Sequence, residues 1–227
     1  MRPIDKGPEP VELQRYRAVP GATYDGKDFT PVKRVIREAL LRDQLWLCCY
    51  CLRRISCEAL PHPTNPDAPP VTQMKVEHWQ SQSEHAELQL AWTNMLGACL
   101  GGEGSARSEQ TCDTRKGEHS IALNPLDPAH VSTLRCTSSG RLESTNPRFQ
   151  GDIDERLGLN HRILVRNRQA TLDRTLSGLR ARYSRGPIPE SVIRAEVDEL
   201  ETPRDGKLPA HCSVLRLWAR KRFGGRW

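Results

Sequence analysis

The 227-residue chain has little apolar bulk: hydrophobic residues make up 37% of it and aromatics only 5%, with a mean hydropathy of −0.64. It has no run long and apolar enough to cross a bilayer, which excludes a membrane-spanning helix. The opening Met1-Arg2-Pro3-Ile4-Asp5-Lys6-Gly7-Pro8 lacks the apolar stretch of a secretory signal, so a cytoplasmic location with no membrane partner is the default expectation. No internal repeat occurs. An acidic excess is also missing: 34 Lys and Arg stand against 28 Asp and Glu, for a net charge of +6 and a pI near 9.0. That balance favours a polyanionic partner, although many proteins carry it without binding nucleic acid. A chain of this size and low apolar content suits one modest core, with metal ligation or a partner adding stability.

What the chain does have is eight cysteines. A reducing compartment keeps thiols free, and a tight Cys-x-x-Cys followed by later cysteines suits zinc better than disulfides. Zinc takes four soft or borderline ligands in a tetrahedron. Cys48 and Cys51 supply one edge, and Cys99 and Cys112 can close the other across an excursion containing Gly101-Gly102-Glu103-Gly104-Ser105. Cys49 with Cys51 is the competing pair, and the commoner two-residue spacing favours Cys48. Cys57, Cys136 and Cys212 read as small buried residues.

Residues 1–29 carry Pro3, Gly7, Pro8, Pro10, Pro20, Gly21 and Gly26 and read as an arm of little regular structure, suited to docking a partner. Thr30-Pro31 then reads as a helix start, followed by Val32, Val35, Ile36, Ala39 and Leu40 at helical spacing. The proline-rich stretch 61–70 is a loop. Residues 71–79 can be extended, which sets Glu77 and His78 on opposite faces unless the strand ends or twists there. Beyond them, 131–143 reads as a hairpin. Residues 158–183 form a helix whose stripe is Val165, Leu172, Leu176, Leu179 and Tyr183, with Arg162, Arg166, Arg168, Arg174, Arg180 and Arg182 on the remainder. Two more helices are expected at 191–200 and about 208–222. The chain thus divides into an arm (1–29), a zinc-bound core (30–130) and a hairpin with a C-terminal helical region (131–227).

Hydrolysing a phosphodiester requires an activated water and neutralised phosphate charge. His78 can accept a proton at neutral pH, Glu77 and Asp113 are hard oxygen ligands suited to magnesium, and Asn94 can orient the imidazole through its amide. Arg115 and Lys116 can hold phosphate oxygens. Each residue alone is ordinary: a Glu-His pair is commonly just strand surface, and a lysine a solvated charge. Their order, interleaved with the zinc ligands, is the signal.

Glu77-His78, Asn94 and Asp113-Thr114-Arg115-Lys116 resemble the ββα-metal motif of HNH endonucleases. Together with 1–7, Cys48-Cys49-Tyr50-Cys51, Trp92-Thr93-Asn94 and Asn124-Pro125-Leu126-Asp127-Pro128, the chain is similar to the HNH subunit of Septu-type and retron-associated anti-phage systems. The resemblance implies an α+β, mostly helical fold in which a zinc-stabilised ββα-metal core carries an N-terminal arm and a C-terminal helical cap. It implies His78 as general base with Asn94 as its orienting neighbour, and Glu77 and Asp113 as ligands of Mg²⁺ or Mn²⁺. Nucleic acid would be the substrate, with DNA favoured. The implied partners are an ATPase that holds and gates the nuclease and, in retrons, a reverse transcriptase with its RNA-DNA product. Asp113 stands where Asn or His is commoner, and the excursion between Cys99 and Cys112 is long. Cleavage of an RNA such as tRNA, and a zinc-binding adaptor without catalysis, use the same sequence features. The basic and aromatic run 215–227 reads either as a nucleic-acid clamp or as a helix packed through Leu215 and Trp218.

Overall fold

The computed structural model of the protein describes residues 1–61, 67, 71–183, 186–224 and 227. The proline-rich loop expected over 61–70 falls almost wholly outside them. In chain order the elements are helices α1 (Val11–Arg17) and α2 (Phe29–Asp43), and strands β1 (Ala59–Leu60), β2 (Val71–Thr72), β3 (Lys75–His78) and β4 (Met95–Ala98). There follow α3 (Cys112–Lys116), α4 (Pro128–Ser132), β5 (Leu134–Cys136), β6 (Leu142–Ser144), α5 (Arg162–Arg182), α6 (Glu190–Leu200) and α7 (Val214–Phe223). Helix occupies 43% of the chain and the sheets are small, in keeping with the expected α+β class. Among the described residues, no helix is long and apolar enough to cross a membrane.

The strands pair as three antiparallel ladders, β1 with β2, β3 with β4 and β5 with β6. In the central one Glu77 lies opposite Leu96 and His78 opposite Met95. Helix α2 packs on this ladder; its buried face is Phe29, Val32, Ile36, Ala39, Leu40 and Leu41, so four of the five residues of the expected stripe lie on it and Val35 sits at its edge. It begins ahead of the expected start: its cap is Asp28, in the left-handed conformation, and Pro31 sits in the first turn. In the C-terminal region α7 packs against β5, α5 and α6.

The N-terminal segment, expected to wrap or dock with little regular structure, has one short helix, α1, whose one buried side chain is Leu13, and it folds onto its own chain. Met1 and Ile4 join the main core, Ile4 N–H donates to the Pro125 carbonyl, Trp92 Nε1–H donates to the Gly7 carbonyl, and Lys6 Nζ donates to the Met95 carbonyl. Within 124–128, Asp127 caps α4 by accepting from Ala129 N–H, with Pro128 opening the helix.

Helix α5 corrects another expectation. Its buried face is Leu164, Arg168, Leu172, Leu176 and Leu179, so Val165 lies to one side and Arg168 points inward. The Arg168 guanidinium donates to the Gly140 and Leu159 carbonyls, each at 2.7 Å. A buried guanidinium is tolerated where it meets carbonyls that would otherwise lack donors. Removing it strands both acceptors, so Arg168→Ala should lower the unfolding free energy by about 2–4 kcal/mol. The exposed Arg166→Ala on the same helix should change it by less than about 0.5 kcal/mol. Denaturant unfolding of the two variants checks this, and equal stabilities would contradict it.

Candidate metal and catalytic centre

The four predicted zinc ligands converge. The Sγ atoms of Cys48, Cys51, Cys99 and Cys112 all lie within 4.8 Å of one another, and all four residues are buried. Cys51 and Cys99 are 3.7 Å apart, matching the roughly 3.8 Å edge of a tetrahedron with Zn–S bonds of about 2.3 Å. Each ligand is placed by local structure. Cys48 N–H donates to the Arg53 carbonyl and Leu52 N–H to that of Cys48, with Leu52 in the left-handed region, so 48–53 forms a tight knuckle. Cys49 N–H donates to the Gly97 carbonyl, and Cys49 lies outside the convergent group, which decides between the two candidate pairs. Cys99 directly follows β4, and Cys112 opens α3 with its N–H on the Leu157 carbonyl.

The long excursion between the last two ligands is pinched at its neck. Thr111 N–H donates to the Gly101 carbonyl, and a Cβ on Gly101 would meet the Thr111 oxygen at 2.1 Å, so glycine is required there. Loop length is therefore taken up away from the metal. Around the thiols, the Arg53 guanidinium reaches Cys99 Sγ at 3.5 Å. Hydrogen bonds from Cys112, Cys48 and Cys99 hold the Cys51 thiol well below its usual range. This donor set, all sulfur and closed to solvent, fits structural zinc.

Because Cys112 starts α3, the next residue, Asp113, and the last, Lys116, are set against β3. Glu77 Oε1 accepts from Lys116 Nζ at 2.8 Å and from the Tyr50 hydroxyl at 2.7 Å. Lys116 Nζ also donates to the His78 carbonyl at 2.8 Å. Glu77 and Lys116 are 2% and 1% exposed, so this ammonium cannot reach a substrate from its place in the fold. Lys116, expected on phosphate, here locks helix to strand. Arg115 is similarly engaged, donating to the Glu155 and Arg107 carbonyls.

Burial first, and then the neighbouring Asp113 carboxyl, raise the Glu77 pKa well above the usual carboxylate range, making Glu77 a weaker acid. Two carboxylates so close repel unless a proton or cation lies between them. A hard divalent ion taking one or two carboxylates and completing its shell with water or phosphate fits that pair. The cation nearest the exposed side is Lys75, 3.7 Å from Asp113 Oδ2 and also bonded to Glu103 and Thr114. Among the described residues, the four cysteines are the one convergent group of three or more potential ligands, so His78 is not a third member of the carboxylate pair.

His78 is the last residue of β3, directly after Glu77, and both are buried. Its Nε2 lies 2.9 Å from the Gln89 carbonyl, an acceptor only, so Nε2 carries the proton and Nδ1 is the free base. The Gln82 amide donates to that Nδ1 at 3.1 Å. The Tyr24 ring meets the imidazole edge-on at 4.5 Å, and Tyr24 N–H donates to Gln89 Oε1. Burial lowers the imidazole's basicity, which keeps it neutral. Asn94, expected to orient this ring, does not touch it. Its amide accepts from Gln80 N–H and donates to the Gln80 and Leu88 carbonyls, stapling the loop after His78. The ring partners that the sequence did not disclose are Gln82, Gln89 and Tyr24; none belongs to a spacing pattern.

Metal content tests the knot. Cys48→Ser or Cys112→Ser should lose zinc and soluble fold, whereas Cys49→Ser should retain one zinc per chain by plasma mass spectrometry. Equal retention by all three would contradict the assignment.

No protein-family model matches the chain. Over 214 residues, 86% of the chain and 94% of the relative, it is 26% identical to a protein of Vibrio cholerae serotype O1 biovar El Tor. That protein's name provisionally makes it the HNH endonuclease of retron Vc95.

Proposed function

We propose that the protein is a metal-dependent HNH-type endonuclease. The observation that carries this reading is the pairing of Glu77 with Asp113 beside a zinc-type knot, with a neutral histidine as the next residue on the same strand. The similarity to the retron-named Vibrio cholerae protein supports it.

In this reading Glu77 and Asp113 hold Mg²⁺ or Mn²⁺, which when bound supplies charge neutralisation at the scissile phosphate and its leaving oxygen. His78 Nδ1 takes the proton of the attacking water once the Gln82 amide gives way. The Nε2–H bond to Gln89 fixes the tautomer during that transfer and stabilises the imidazolium that results. A positioned base contributes about 100- to 10,000-fold. Lys116 balances the buried Glu77 charge and fixes the end of β3 through the His78 carbonyl. Lys75, more exposed and beside Asp113, is better placed than Lys116 or Arg115 to meet phosphate.

DNA is the favoured substrate, and the protein acts as the effector of an anti-phage complex of Septu or retron type. An ATPase subunit restrains it, and in a retron a reverse transcriptase with its RNA-DNA product completes the assembly. The motif resemblance supports these assignments and the relative's retron name supports the retron link; the chain's net charge of +6 suits nucleic acid.

The test is to induce wild type and His78→Ala in cells and sequence the ends of DNA and RNA. Cleavage should fall about 100- to 10,000-fold in the variant, with zinc content unchanged; equal cleavage would favour the adaptor reading. Ends found in RNA alone would move the substrate. The pH profile adds a signed expectation. A histidine with lowered basicity is the free base above its folded-state value and loses that form as pH falls through it. The acid limb of kcat/KM should therefore lie below 6.5, and a limb above that value would contradict His78 as the base.

A further inference from the structure

Away from the knot and the carboxylate pair, a cleft of about 620 Å³ lies between α5 and α7, with α6 and the segment 186–188 contributing to its lining. The volume is within the range of sites that take a small ligand or a nucleotide. Three aromatic rings line it: Tyr183, Trp218 and Phe223. Tyr183 and Phe223 are 43% and 38% exposed, unusual for large apolar side chains in a chain this poor in aromatics. Trp218 stands perpendicular to Phe223 at 6.1 Å, and its Nε1–H donates to Ser138 Oγ, which fixes the indole. Arg222 lies 5.7 Å from the Trp218 ring and 5.6 Å from that of Phe223. The Arg180 side chain, also in the lining, has no ion-pair or hydrogen-bond partner among the described residues, and neither does that of Asp173.

Exposed rings beside unneutralised guanidinium groups suit a ligand with flat π faces and negative charge, and a nucleotide strand is such a ligand. Duplex DNA offers phosphates but hides its base faces, so the rings add nothing to its binding. Asp173 would repel phosphate and instead matches an N–H on a base edge. An acidic peptide would satisfy the arginines but leave the ring faces and Asp173 unmatched. We propose that this cleft binds single-stranded nucleic acid, with unpaired bases stacked on the exposed Tyr183 and Phe223 rings beside the fixed Trp218 indole and the backbone held by Arg180 and Arg222. The site shares no residue with the acid-histidine centre, and the inference holds whether or not that centre cleaves.

Fluorescence anisotropy with the full chain tests it, using His78→Ala without divalent metal so that cleavage plays no part. The probes are labelled oligothymidylate, oligouridylate and a blunt DNA duplex, titrated across a salt series. Tyr183→Ser and Phe223→Ser, both at exposed positions, should each weaken single-strand binding by roughly tenfold and leave duplex binding unchanged. Arg180→Ala should reduce the salt slope on single strands by roughly 0.7. The stronger of the two homopolymers identifies the strand as DNA or RNA. Zinc content and circular dichroism confirm that each variant is folded. Single-strand affinity unchanged in all three folded variants, or no single-strand binding by the parent, would overturn the proposal.

Discussion

Four thiols from separate stretches of chain must meet at one point, and the rest of the central region follows from that constraint. The knuckle at 48–53, the end of β4 and the start of α3 lie far apart in sequence, yet the sulfurs lie within 4.8 Å of one another. A structural zinc bound by such a set contributes on the order of 10 kcal/mol to folding, which is large for a chain with 37% hydrophobic residues. Because the fourth ligand is also the first residue of α3, closing the knot sets the helix in place. Asp113 and Lys116 are then delivered to Glu77 by backbone geometry alone.

A chain of buried polar contacts completes that placement. Tyr50 comes from the knuckle, Glu77 from β3 and Lys116 from α3, and the lysine returns to the strand at the His78 carbonyl. Breaking one member of a buried ion pair leaves an uncompensated charge and costs about 3–5 kcal/mol. The same contacts bring Asp113 beside Glu77 and hold the strand end that carries the imidazole. The N-terminal segment reinforces that strand end, since Tyr24 both packs on His78 and bonds to Gln89, the residue that fixes the ring's tautomer. The structural metal, the acid pair and the histidine are thus coupled through a few side chains.

What was legible in the sequence was whatever repeats or has fixed spacing. The four cysteines, the apolar stripe of α2 and the helices of the C-terminal region could all be read that way. The residues misread are those whose partners lie far along the chain. Lys116 and Arg168 look like solvated cations because a single sequence gives no sign that a carboxylate or two carbonyls await them inside. Asn94 reads in sequence as an orienting neighbour of the histidine, whereas its amide serves the backbone of the following loop. Helix α1 leaves no periodic signature because it buries only Leu13 between prolines and glycines. Gln82, Gln89 and Tyr24 converge on His78 only after the strand, the following loop and the N-terminal segment have packed.

The central claim is that the zinc knot holds Glu77 and Asp113 as a second, hard metal site. Anomalous diffraction from crystals soaked in Mn²⁺, measured at the zinc and manganese edges, tests it most directly. The account expects a zinc peak among Cys48, Cys51, Cys99 and Cys112, and a separate manganese peak touching both Glu77 and Asp113. Zinc in the knot with no manganese between those two carboxylates at a saturating soak would contradict it.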